Sequence, residues 1–305
     1  MSTPDCVRLR FEGAGRTYSI EKWPIPGFDE EFTLPPGTRL LIPKSGGLFT
    51  NQQVDRRSRD VDLDEVESWG LNDEEHVIYA RASRHYCIRF IFNAERVLMN
   101  AKSQSLPAYK KLVRDAKFHS AHLQNSKIRG FLVPEHYGMW ITNTGKWAGK
   151  VIMSITQYCG MHWNELQYLK MGTQANRELV GRAFEKLHDC GFNHGKIITD
   201  RDFRHAVIDV FEPGLTAEEL KNGQARCYIV DFSEATADHK CARRLPVLPL
   251  DGYTAQFGCD ELKHITLALE FFDRPIRTFI WLLNLNTRVI ECLCSSRHSK
   301  SSGVA

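Results

Sequence analysis

Leu187-His188-Asp189-Cys190-Gly191-Phe192-Asn193-His194-Gly195 is the stretch on which the fold turns. Its first half closes an amphipathic helix over residues 177 to 190, with Leu179-Val180, Ala183-Phe184 and Leu187-His188 on the inward face. Gly191 is the natural stop, since glycine enters the left-handed conformation that ends many helices. A His-Gly turn follows. Downstream, Tyr228-Ile229-Val230-Asp231-Phe232-Ser233 is a short apolar strand that ends in a carboxylate. An aspartate at the exit of a buried strand can bind a metal in a cleft. The ordinary alternative is a turn cap.

Outward from this centre, two short strands at residues 206–210 and 227–230 flank an acidic insert. Another strand, at residues 151–156, runs into Tyr158-Cys159-Gly160. Residues 107–123 read as a helix, residues 76–80 and 86–92 as strands, and residues 260–272 as a last helix. At the start, Val7, Leu9 and Phe11 alternate with polar residues, Gly13-Ala14-Gly15 turns, and Tyr18 and Ile20 resume the alternation, which predicts a hairpin. A further strand is expected at Arg39-Leu40-Leu41-Ile42-Pro43. Residues 51–67, rich in Asp and Arg, read as a charged surface loop. Strands, a helix, strands and then a helical half predict an α+β fold.

The ordered motifs resemble the protein-kinase-like fold. They are most similar to the divergent kinase-like proteins of mushroom-forming fungi. The residues that carry this resemblance are Arg89 on a strand and Asp115-Ala116-Lys117-Phe118 on a helix, then Val133-Pro134-Glu135-His136-Tyr137-Gly138 and Cys159-Gly160. Leu187 to Gly195, Ile229 to Ser233 and the Cys259-Asp260-Glu261-Leu262 helix start complete the set. The resemblance implies a two-lobed architecture. Residues 1–75 form a strand-rich N-terminal extension with the charged loop, and residues 76–158 a small lobe. Residues 159–278 form a shortened helical large lobe, and residues 279–305 a tail expected to be partly disordered.

In an active kinase a strand lysine pairs with nucleotide phosphates and a helix glutamate, a loop aspartate accepts the substrate proton, and an asparagine and a strand-end aspartate hold magnesium. The resemblance therefore implies ATP and magnesium as cofactors, with Arg89, Asp115 and Asp231 at the nucleotide and Asp231 and His205 at the metal. Every part except the strand-end aspartate, Asp231, is altered. Arg89 replaces a point charge with a planar fork, Asp115 is one methylene shorter than glutamate, and imidazole is a poor magnesium ligand. Counting forward from His194-Gly195 puts Lys196 at the proton acceptor's place. Counting back five residues from His205 puts Asp200 there, with Asp202 close by and residues 196–199 as an insertion. Both placements stay open. Ser68-Trp69-Gly70-Leu71-Asn72 holds one glycine where a phosphate-cradling loop would be.

Three functions follow. The first is a pseudokinase that binds partners and nucleotide with little or no phosphoryl transfer. The second is an atypical active kinase using Asp200 and Asp231. The third is an interaction scaffold with no ligand site. The 305 residues are 42% hydrophobic, enough for a sizeable core, and a net charge of +3 argues for neither nucleic acid nor a membrane surface as partner. With no signal segment, nine scattered cysteines and no CxxC pair read as reduced thiols of a cytosolic or nuclear protein. His162-Trp163 and His239-Lys240-Cys241 lack metal-ligand spacing and read as ordinary surface or core histidines.

Overall fold

The computed structural model describes residues 7–11, 16–25, 33–35, 37–42, 48–50, 78–82, 85–100, 102–103, 105–145, 149–197, 203–241, 245 and 259–269. The charged stretch 51–67, the region 68–72, Asp200, Asp202 and the tail from residue 270 lie outside these.

The predicted hairpin forms from β1 (Val7–Phe11) and β2 (Thr17–Lys22). Val7 pairs with Ile20 and Leu9 with Tyr18, and all four are buried, while Arg8 and Arg10 face out. β3 (Arg39–Ile42) runs parallel to β1 and buries Leu40 and Ile42. These strands share one sheet with β4 (Leu48–Thr50), β5 (Ile78–Ala82), β6 (Tyr86–Ile91), β7 (His136–Asn143) and β8 (Lys150–Gln157), in the order β3-β1-β2-β7-β8-β6-β5-β4. The join is β2 against β7, where Glu21 pairs with Ile141 and Lys22 with Trp140. The sheet curls until β3 approaches β5.

No strand was expected at β7. Its burial does not alternate, because both faces are covered and a bulge interrupts the register between His136 and Met139. A period of two is a signal only where one face meets water. β8 is likewise buried on both faces. Val151, Met153 and Ile155 face one core with Leu9, Ile20 and Phe90, while Ile152 joins Ile91, Leu112, Ala116 and Met139 in another. That second core seats helices α1 (Ala94–Met99) and α2 (Ser105–Phe118) on the sheet. α2 runs on into a π turn, His119–Leu123, close to the predicted limit.

A separate core gathers α3 (Trp163–Tyr168), α4 (Gln174–Asp189), α5 (Ala217–Lys221) and α6 (Asp260–Ala268) around a small sheet, in the order β11-β10-β9, of β9 (Met161–His162), β10 (Ala206–Ile208) and β11 (Cys227–Ile229). Trp163, Val180, Phe184, Leu187, Ile208, Ile229, Leu262 and Ile265 fill it. Burying each such side chain fully is worth about 1.5–3 kcal/mol. α4 stops where the sequence predicts. Gly191 has φ 84°, its N–H donates to the His188 carbonyl, and the Phe192 N–H reaches back to the Leu187 carbonyl at 3.2 Å. This pair of bonds satisfies carbonyls that the helix end leaves open. No helix among the described residues is long and apolar enough to cross a membrane.

Candidate functional site

The elements of both cores converge on the Asp231-Phe232-Ser233 turn. Arg89 projects from β6, and its Nη2 donates to Asp115 Oδ2 on α2 at 2.5 Å and to Ser154 Oγ on β8 at 3.1 Å. Both members of the ion pair are buried. The other oxygen of Asp115 accepts the Phe232 N–H at 2.8 Å. One carboxylate thus ties the strand arginine to the turn. Burial pushes the Asp115 carboxyl up, but Arg89 beside it and His119 outweigh this and hold it below the usual range.

The second link keeps Phe232 inside. Its ring stacks on Phe118 at 5.7 Å and meets His119 and His194 edge-on at 5.3 and 5.5 Å. His119 in turn lies 5.1 Å from His136 on β7. The four rings His136, His119, Phe232 and His194 thus form one buried column between the large sheet and α4. His194 Nε2 donates to the Val230 carbonyl at 3.0 Å.

Burial drives His119 down to about 4, against the opposing pull of Asp115, and lowers His136 as well. Between about pH 6.5 and pH 4 the unfolded chain therefore binds protons that the folded chain refuses, and stability must fall as pH falls. For His119 alone the loss approaches about 3 kcal/mol by pH 4, at about 1.4 kcal/mol per pKa unit. In urea unfolding at several pH values, His119→Leu is expected to flatten this slope. An unchanged slope in the variant would remove His119 as its source.

Asp231 sits at the turn with φ 66°, a left-handed backbone uncommon for a residue with a side chain. Lys196, whose side chain is 3% exposed, donates its ammonium to Asp231 Oδ2. The other oxygen accepts the Ser233 N–H at 3.3 Å. Burial alone would raise the Asp231 carboxyl, but Lys196 and then His205 and Arg89 hold it well below the usual carboxylate range. His205 faces the same carboxylate.

The loop that carries Lys196 is held from below by a residue to which the sequence assigned no role. Glu261, in the first turn of α6, is fully buried. Its carboxylate accepts the N–H of His194 at 2.9 Å and of Gly195 at 2.8 Å, and His188 Nε2 lies 2.6 Å away. Gly195 has φ 81°, and a Cβ there would sit 2.4 Å from the Glu234 carbonyl, so only glycine fits. Asn193 and Thr236 exchange both backbone hydrogen bonds, which lays the segment after Ser233 along the loop. The sequence signals for Glu261 were its place in the Cys259-Asp260-Glu261-Leu262 helix start and an acidic first turn, which many helices share and which name no partner.

Of the predicted site residues, Arg89 and Asp115 meet, and Lys196, Asp231 and His205 gather. Asp200 lies outside the described residues. The described groups do not suit a magnesium ion. Asp231 already carries the Lys196 ammonium on Oδ2 and the Ser233 N–H on Oδ1, and His205 offers nitrogen to a hard ion that prefers oxygen.

No protein-family model matches the chain, and no curated protein is similar to it. Among solved structures, the bifunctional kinase-methyltransferase WbdD is similar with a TM-score of 0.38 and 13% identity, over 66% of this chain and 43% of that one. A monomeric WbdD gives 0.37 and 12%, over 66% and 52%. WbdD in complex with the kinase inhibitor LY294002 gives 0.37 and 12%, over 64% and 43%. The matched part spans about half or less of each WbdD chain.

Proposed function

We propose that this chain is a two-lobed protein-kinase-like domain, of the divergent type its motifs resemble, that has given up phosphoryl transfer and works as a pseudokinase by binding partners. What supports the fold is the placement of parts. A strand cation pairs with a helix carboxylate (Arg89 with Asp115), a strand-end aspartate opens a turn, and a His-Gly loop faces it. On this reading they correspond to the strand lysine, helix glutamate, metal aspartate and catalytic loop of a kinase.

The observation that carries the loss of activity is the Lys196–Asp231 contact. An ammonium on Asp231 supplies the positive charge that a magnesium ion would bring, but it cannot coordinate phosphate oxygens as a metal does. Protonated, it has no lone pair to take a substrate proton. Any nucleotide the cleft accepts is bound without magnesium.

Phosphoryl transfer from ATP with magnesium, assayed on wild type and Asp231→Asn, tests this. The expected result is no difference between the two above background. Turnover in the wild type that vanishes in Asp231→Asn would overturn the reading and favour a kinase using Asp231 with Asp200.

A further inference from the structure

Beside the loop, and independent of the kinase reading, four side chains from separate segments meet. His188 lies near the end of α4, His239 and Cys241 on the segment after Ser233, and Cys259 at the entry to α6. Their donor atoms all lie within 4.8 Å of one another. His239 Nε2 is 3.1 Å from His188 Nδ1, while Cys259 Sγ is 3.6 Å from His188 Nδ1 and 3.8 Å from His239 Nε2. A tetrahedral zinc ion, with bonds of about 2.0–2.1 Å to nitrogen and about 2.3 Å to sulfur, separates its ligand atoms by roughly 3.3–3.8 Å. The spacing is that of a shell around one small cation.

We propose that His188, His239, Cys241 and Cys259 form a structural zinc site. Two imidazoles and two thiols are the donor set of closed zinc sites, while hard cations prefer oxygen. A second observation points the same way. His188 Nε2 lies 2.6 Å from the buried Glu261 carboxylate, so the ring carries its proton there and turns the bare Nδ1 lone pair into the cluster. Such a carboxylate behind a ligating histidine fixes tautomer and orientation in zinc centres. His188 and Cys259 are buried while His239 and Cys241 are half-buried, which leaves the ion a way in from solvent.

Spacing within one segment could not reveal this site. His188 and His239 are 51 residues apart, His188 and Cys259 71, and His239 and Cys259 20. On this proposal the partners of His239-Lys240-Cys241 arrive from α4 and α6. The ion would pin the segment after Ser233 to both helices. Through His188 and Glu261 it would also brace the two amides that hold the His194-Gly195 loop.

The test is metal analysis of the full chain purified without a histidine tag. About one zinc ion per chain is expected, with removal by a chelator lowering Tm and zinc, but not magnesium, restoring it. Cys241→Ser should lose the ion while remaining folded, since Cys241 is half-buried. Cobalt added to the stripped wild type should give the visible absorption of a tetrahedral thiolate site, and this arm holds even if Cys259→Ser does not fold. A folded, zinc-free wild type whose Tm ignores both chelator and zinc would overturn the proposal and leave the cluster as a hydrogen-bonded His–His–Cys contact. Zinc retained at full stoichiometry in Cys241→Ser would overturn the ligand set.

Discussion

Glu261→Ala is expected to be the most damaging single substitution in the described residues, with a loss on the order of 4–6 kcal/mol in urea unfolding. The reason is the number of groups that one carboxylate satisfies. The N–H of His194, the N–H of Gly195 and the Nε2–H of His188 all end on it, in a place with no water-exposed surface. A buried donor that loses its acceptor costs about 1–3 kcal/mol, and three are stranded together. A domain of ordinary stability has about 5–15 kcal/mol to lose, so the loss removes at least about a quarter of it and unfolds the variant outright if the wild type lies at the low end. Glu261→Gln keeps one acceptor oxygen but presents an amide hydrogen to a donor, and should fall between the two. A loss below about 1 kcal/mol for the alanine variant would show that the carboxylate does not brace the loop.

Arg89→Ala is expected to cost about 3–5 kcal/mol, because it leaves the Asp115 charge buried without its partner. Asp115→Ala should cost as much or more, since it also strands the Phe232 N–H and frees the turn that holds the ring column. The pair is therefore strongly non-additive. Arg89→Met with Asp115→Asn removes both charges and keeps an oxygen for Phe232, and should recover much of either single loss. Arg89→Lys should be milder than alanine but not silent, because an ammonium on a shorter stem must reach the place of the single Nη2 that serves both Asp115 and Ser154. Equal, additive losses in the cycle would mean that the two residues do not act as one unit.

The parts of this arrangement that were legible in the sequence share a cause. The β1–β2 hairpin declared itself because Val7, Leu9, Tyr18 and Ile20 face a core while Arg8 and Arg10 face water. The end of α4 declared itself through Gly191, whose backbone conformation few other residues adopt. Arg89 and Asp115 could be placed on a strand and a helix, and the structure brings them together.

What stayed hidden depends on neighbours that sequence order does not supply. β7 is covered on both faces and has no period. Glu261 reaches partners 66, 67 and 73 residues away. Counting along the chain could not choose between Lys196 and Asp200, because forward and backward counts disagree across an insertion. Only the fold shows that Lys196 points at Asp231.

Thermal unfolding with ATP, with and without magnesium, on wild type, Lys196→Ala and Asp231→Asn probes the Lys196–Asp231 contact without intermediaries. A ligand at one hundred times its dissociation constant adds about 2.7 kcal/mol, well within the reach of the measurement. Magnesium should add nothing to any nucleotide shift of the wild type, and a magnesium-dependent increment should emerge in Lys196→Ala, where Asp231 loses the ammonium on its Oδ2. A magnesium-dependent shift in the wild type that disappears in Asp231→Asn would contradict this.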